Sequence, residues 1–242
     1  MNTSACQRIL KAPLQSGAWI LAAWLCAGAG AAWAHTIGGS NAVFVQGVDG
    51  PAIAPFVYLG AKHMVTGYDH LLFLFGVLFY LARPVQVVQY VTLFALGHSL
   101  TLVAGVLLNL QINAALIDAI IGFSVIYKAF ENMGGFRSLG VTAPNPLAAV
   151  FVFGLFHGLG LATRLQEFEM SPNGLLSNLL SFNVGVEIGQ ILALTGVFLV
   201  LSLWRRSPGF QRHAFITNTL LMSGGFMLVG YQLSNWATGS GA

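Results

Sequence analysis

KHMVTGYDHLLFLFGVLFYL, residues 62–81, sets two histidines and an aspartate (His63, Asp69 and His70) directly against an uncharged apolar run. Only 7% of the 242 residues are Asp, Glu, Lys or Arg, and 56% are hydrophobic. The mean hydropathy is +0.77. A soluble domain of this length needs far more polar surface. The chain therefore reads as an all-α, polytopic membrane helix bundle with one membrane domain. A polar cluster at the mouth of a membrane helix is by default a site hypothesis.

Upstream of this stretch, residues 1–34 read as a cleaved signal peptide. Arg8 and Lys11 form a basic n-region, residues 17–31 are apolar, and Ala32-Trp33-Ala34 fits the small-x-small cleavage pattern. Both cysteines, Cys6 and Cys26, fall in this leader. The mature chain then has no thiol, which excludes a disulfide framework and a cysteine metal site. It also keeps eight Lys/Arg against seven Asp/Glu. No basic stripe exists, so nucleic acid is not an expected partner. Residues 35–51, small, polar and Gly-rich, read as a short exported segment beginning at His35. Residues 52–242 form the six-helix transmembrane domain.

About 20 residues are needed per membrane span. Six segments approach that length: roughly 67–82, 85–109, 113–131, 146–163, 176–204 and 214–236. With the mature N-terminus outside, Arg83, Lys128, Arg137, Arg205, Arg206 and Arg212 fall on the cytoplasmic side, and only Lys62 and Arg164 fall outside. This bias gives an inner-membrane protein with both mature termini in the periplasm.

Each helix brings polar groups into the apolar phase. On a continuous first helix, His63 and His70 are two turns apart on one face, with Asp69 beside them or serving as an N-terminal cap. His98 sits near mid-helix two with Ser99 beside it. Asp118, Ser124 and Lys128 lie on helix three, where Lys128 and Glu131 suit an inner-surface pair. His157 lies in the middle of helix four, next to the small-residue face of Gly154 and Gly158. Asn183, Glu187 and Gln190 stand at i, i+4 and i+7 on helix five, reading as one polar stripe. A carboxylate that deep costs about 2.5–3.5 kcal/mol on insertion scales.

The candidate metal ligands are therefore His63, Asp69, His70, His98, His157 and Glu187, supported by Asn183, Gln190, Ser99 and Asp118. Imidazole and carboxylate together suit a divalent transition metal: nickel, cobalt, zinc, copper or iron. The competing explanation is a hydrogen-bond network that only fixes the bundle. His35 is a further ligand candidate, through its ring and the new α-amine, if cleavage follows Ala34.

Four motifs in order, GYDHLLFLFGVL, GHSLTL, FGLFHGLGLA and FNVGVEIGQ, resemble the HupE/UreJ family of bacterial membrane proteins. The resemblance runs from about Gly60 to about Leu194. It implies an inner-membrane permease or accessory protein linked to nickel in hydrogenase and urease systems. It also implies metal-path roles for His63, Asp69, His70, His98, His157 and Glu187. The nickel-associated branch has His-Pro ahead of the GxDH element, whereas here Met64 follows His63, which leaves the ion's identity open.

The expected function is a permease for nickel or a similar divalent ion. The ion would meet His63, Asp69 and His70 at the outer mouth, then His98, His157 and Glu187 near the midplane. The bilayer and the ion are the expected partners. The chain is not expected to be an enzyme. The rivals are an intramembrane metal-dependent hydrolase acting on lipid, in which several His, an Asp and Ser99 or Ser124 would hold a catalytic zinc with an activated water, and an assembly protein that handles metal without transporting it.

Overall fold

A computed structural model describes residues 40–166 and 171–239. The expected leader and His35 lie outside the described residues. Among the described residues the chain is helical throughout, with no strand. The helices are α1 (Ser40–Gly47), α2 (Ile53–Thr66), α3 (Tyr68–Leu78), α4 (Pro84–Leu107), α5 (Ala114–Asn132), α6 (Gly135–Ser138), α7 (Pro146–Gln166), α8 (Leu175–Arg205) and α9 (Phe210–Thr238). Part of the expected exported segment is thus the short helix α1.

Four helices, α4, α7, α8 and α9, are long and apolar enough to cross a membrane. The 19-residue α5 has the length but carries Asp118, Lys128 and Glu131. Between residues 53 and 78 the chain forms two helices, α2 and α3, joined at Gly67, whose backbone is extended (φ −73°, ψ 101°). The helix expected at 67–82 is therefore only the second half of a broken one. Its first half is IAPFVYLGAKHMVT, whose amphipathic pattern suits either the outer interface or the first turns of span one: Phe56, Leu59 and Met64 are buried, while Tyr58 and Lys62 are exposed. Lys62 accordingly belongs to a helix and not to an outside loop.

Three pairs of helices pack most closely: α2 with α8, α4 with α7, and α5 with α9. Glycine permits each approach. A Cβ at Gly189 of α8 would lie 2.6 Å from the Ala61 carbonyl oxygen, and one at Gly97 of α4 would lie 2.6 Å from that of Phe151. Gly122 and Gly225 do the same between α5 and α9. Small residues let backbones meet where lipid supplies no hydrophobic drive between helices.

The contacts also fix direction. Ala52 N donates to Asn178 Oδ1 (2.7 Å), Gly189 abuts Ala61, and Arg205 donates to the Leu81 carbonyl. Residue numbers rise together, so α2 and α3 run parallel to α8 along its length. Gly154 abuts Phe94, Gly158 abuts His98, and Gly105 abuts Ala162, so α4 and α7 are also parallel. Asp118 meets Gln232 and Asn132 meets Asn218, so α5 and α9 are antiparallel.

Of these helices, α3 is the innermost. Every residue from Asp69 to Phe79 is buried except the half-buried Phe75. A helix apolar all round belongs in a core. Its C-terminal carbonyls, which lack intrahelical donors, are met by side chains of other helices. Asn132 Nδ2 donates to Gly76 O at 2.8 Å, and Arg205 Nη2 donates to Leu78 O at 3.5 Å. Phe79 stacks on Phe210 (5.4 Å) and meets Trp204 edge-on (5.7 Å), closing that end with aromatic rings.

Candidate metal centre

The break at Gly67 decides where the polar groups sit. Fourteen residues of α2 precede it and eleven of α3 follow it. His63, Asp69 and His70 therefore lie midway along the bundle and not at its mouth. His98 and His157 lie near the middle of α4 and α7. All five groups form one cluster centred on His70. Its ring centroid is 5.2 Å from that of His63, 6.1 Å from His98 and 4.8 Å from His157. Asp69, His70, His98 and His157 are each at most 3% exposed.

Within this cluster, one ligand atom each from Asp69, His70 and His157 can be chosen so that all lie within 4.8 Å of one another. Hydrogen bonds set the tautomers. His70 Nδ1 is 2.8 Å from Asp69 Oδ1, and His157 Nδ1 is 2.7 Å from the Phe153 carbonyl oxygen. An ionised carboxylate and a carbonyl can only accept, so both Nδ1 atoms donate. In the neutral rings the lone pair is then on Nε2, the arrangement that orients metal-binding histidines elsewhere. His70 Nε2 and both ring nitrogens of His98 are buried with no hydrogen-bond partner among the described residues. Imidazole nitrogens oriented beside a carboxylate fit a divalent transition-metal ion.

Asp69 has a second electrostatic role. It lies in the first turn of α3, where its charge offsets the positive end of the helix dipole. Without it, that helix end would repel a cation. Gly67 keeps the arrangement tight, since a Cβ there would lie 2.8 Å from His70 Nδ1 and 3.3 Å from Asp69 Oδ1. Aromatic rings wall the cluster. Phe94 and Phe73 lie 5.0 and 5.5 Å from the His157 ring, and Phe182 lies 6.0 Å from that of His63.

The remaining candidates are placed elsewhere. Glu187 is exposed on α8 among Val184, Ile188 and Ile191, outside the cluster. Helical geometry explains this: Gln190 is about 20° to one side of Asn183, while Glu187 is about 40° to the other. That offset carries it past the edge of the buried face. Asn183 and Gln190 are buried, as a shared face requires. Asp118 is engaged by Arg164 (2.7 Å) and Gln232 (3.3 Å), which tie together α5, α7 and α9. Ser99 is half-buried, and Ser124 donates to the Ile121 carbonyl of its own helix. Lys128 and Glu131 form the expected pair at 2.8 Å. The determinant missed in the sequence is Gly67, and its signal was a glycine set between polar residues within an otherwise helical pattern.

Residues 40–240 match a family model described as HupE / UreJ protein. No curated protein and no solved structure matches the chain.

Proposed function

The chain belongs to the HupE/UreJ family, and we propose that it is a six-span permease of the bacterial inner membrane for a divalent transition-metal ion, nickel or one of similar chemistry. The observation that carries this reading is the buried Asp69, His70 and His157 group at a helix break in mid-bundle. Broken helices at mid-membrane depth are where transporters hold ions. The ion is the cargo. One carboxylate and two imidazoles bind it, and His63 and His98 stand beside them to accept it as it moves. Its ligands must be neutral or anionic, the state in which the Nδ1 hydrogen bonds of His70 and His157 leave the Nε2 lone pair to the ion. A site that conducts must also release its ion, which favours a small, exchangeable ligand set.

Six spans follow if α2 and α3 count as one. Alternation across the membrane then requires span one parallel to span five, two parallel to four, and three antiparallel to six. The pairs α2–α3/α8, α4/α7 and α5/α9 run in those directions. The charge bias still favours a periplasmic N-terminus, with a cleaved leader before it. Ser124, whose hydroxyl is held by Ile121, lends no support to a hydrolase.

Uptake of radioactive nickel(II) in cells, with zinc(II) and cobalt(II) in parallel, tests the reading. His70→Ala and His157→Ala should abolish uptake while the protein still reaches the membrane. Glu187→Gln, lying outside the cluster, should retain most of it. Uptake at the parental level in both histidine variants would sink the proposal.

A further inference from the structure

Three buried polar side chains lie outside the Asp69, His70 and His157 group and are poorly explained by packing. His98 and Gln190 are 0% exposed, and Asn183 is 6% exposed. Both ring nitrogens of His98, both amide atoms of Asn183 and Oε1 of Gln190 lack a hydrogen-bond partner among the described residues. Gln190 Nε2 makes one long bond, 3.4 Å, to the Val91 carbonyl of α4. Leaving buried polar atoms unpaired is costly, and each such group calls for an explanation such as an ion.

Helix register places two of them at one level and the third on the same seam. The chain reverses between α3 and α4 through residues 79–83, and α3 runs with α8, so α4 and α8 are antiparallel. Gln190 touches α4 at Val91. Seven residues on from Val91 is His98, and seven residues back from Gln190 is Asn183. Seven residues is two turns, which returns to the same face after about 10.5 Å of rise. His98 and Asn183 therefore stand at one level on facing helices, with Gln190 two turns deeper.

We propose that His98 and Asn183 form a second ion station on the seam between α4 and α8, with Gln190 two turns further along the same seam. It rests on the permease reading and receives the ion from His70, whose ring centroid is 6.1 Å from that of His98. The chemistry suits a transfer site. One imidazole and one neutral amide oxygen hold a divalent cation less strongly than a group containing a carboxylate. The ion thus moves from the stronger station to the weaker one and on toward the cytoplasm. Conduction through adjacent sites has this form.

The test uses the full chain purified in detergent, with nickel(II), zinc(II) and cobalt(II) each titrated by equilibrium dialysis. The wild type should bind two ions. Asn183→Leu should bind one, take up ion at least tenfold more slowly in liposomes, and melt at a higher temperature than the wild type when both are metal-free. Asn183→Asp, which keeps an oxygen donor, should bind two. A merely structural amide predicts the reverse for the leucine variant: a lower melting temperature with stoichiometry unchanged. That result, failure of Asn183→Leu to reach the membrane, or wild-type uptake in it, would overturn the second station. A wild type that binds a single ion, lost in His70→Ala, would remove the second station and leave the permease standing. A wild type that binds no ion would remove both.

Discussion

Replacing Gly189 by alanine tests the central claim that close contact between α2 and α8 positions the histidines. The new Cβ would lie 2.6 Å from the Ala61 carbonyl oxygen, 2.9 Å from Ala61 Cα and 3.0 Å from Met64 Cβ. Two of these are backbone atoms, which cannot turn aside as a side-chain tip can. Restoring an ordinary separation requires α2 to retreat by roughly 0.8 Å, and overpacking of this kind costs about 1–3 kcal/mol. The gain in helix propensity from Gly to Ala returns at most about 1 kcal/mol. Ala61 and Met64 lie on either side of His63 in α2, so the retreat draws that ring away from His70, whose centroid is 5.2 Å from it. Gly196 is the internal control. It lies seven residues further along α8, past the end of α2, with nothing within 4 Å of a Cβ. Gly196→Ala should raise the melting temperature slightly and leave uptake unchanged. Gly189→Ala should lower both. The assay is thermal unfolding in detergent beside ion uptake in cells. A Gly189→Ala protein as stable as Gly196→Ala, with parental uptake, would refute the reasoning.

Two further outcomes follow from the polar contacts. Asp118→Asn or Arg164→Gln removes half of an ion pair that is mostly buried, 9% and 24% exposed at its side chains. Each should cost about 1–3 kcal/mol, between the values for surface and buried pairs, and the double variant should cost less than the sum of the two in thermal unfolding. Asn132→Ala strips the side-chain donor from the Gly76 carbonyl and from Asn218 Oδ1. It should destabilise by about 1–3 kcal/mol, seen as earlier hydrogen exchange at the C-terminal end of α3.

Much of this architecture was legible in the sequence, and the failures share one cause. Helices α4, α5, α7 and α8 begin and end within a few residues of their expected bounds, because uniform apolar runs report membrane helices directly. The histidines and Asp69 were legible because ionisable groups are too costly inside a membrane to be incidental. What periodicity could not supply was which side of a helix faces protein. In α2, an amphipathic pattern fitted an interfacial piece as well as the first turns of span one, because its buried face packs on another helix while Tyr58 and Lys62 are exposed. In α8, three polar residues read as one stripe. The glycines Gly185 and Gly189 meet α2 on one side of α8, Asn183 and Gln190 are buried, and Glu187 falls beyond that buried surface.

The broken helix also explains why these residues lie so close in sequence. On an unbroken helix, His63 and His70 would share a face but stand seven residues apart, about 10.5 Å along the axis. Two rings at that separation could not pass one ion directly between them. With the helix interrupted at Gly67, their centroids are 5.2 Å apart. The same interruption places the first turn of α3, and with it Asp69, inside the membrane. It thereby supplies the negative charge that a cation needs there, at a helix end that would otherwise repel it. A continuous helix would have satisfied its own backbone at lower cost. Breaking it exposes polar backbone at mid-depth, which is tolerated only where protein encloses it, and here the buried faces of α4, α7 and α8 do so. The cost of the break is intelligible if the ligands are needed together at one depth, whereas a polar network that merely fixed the bundle would need no break.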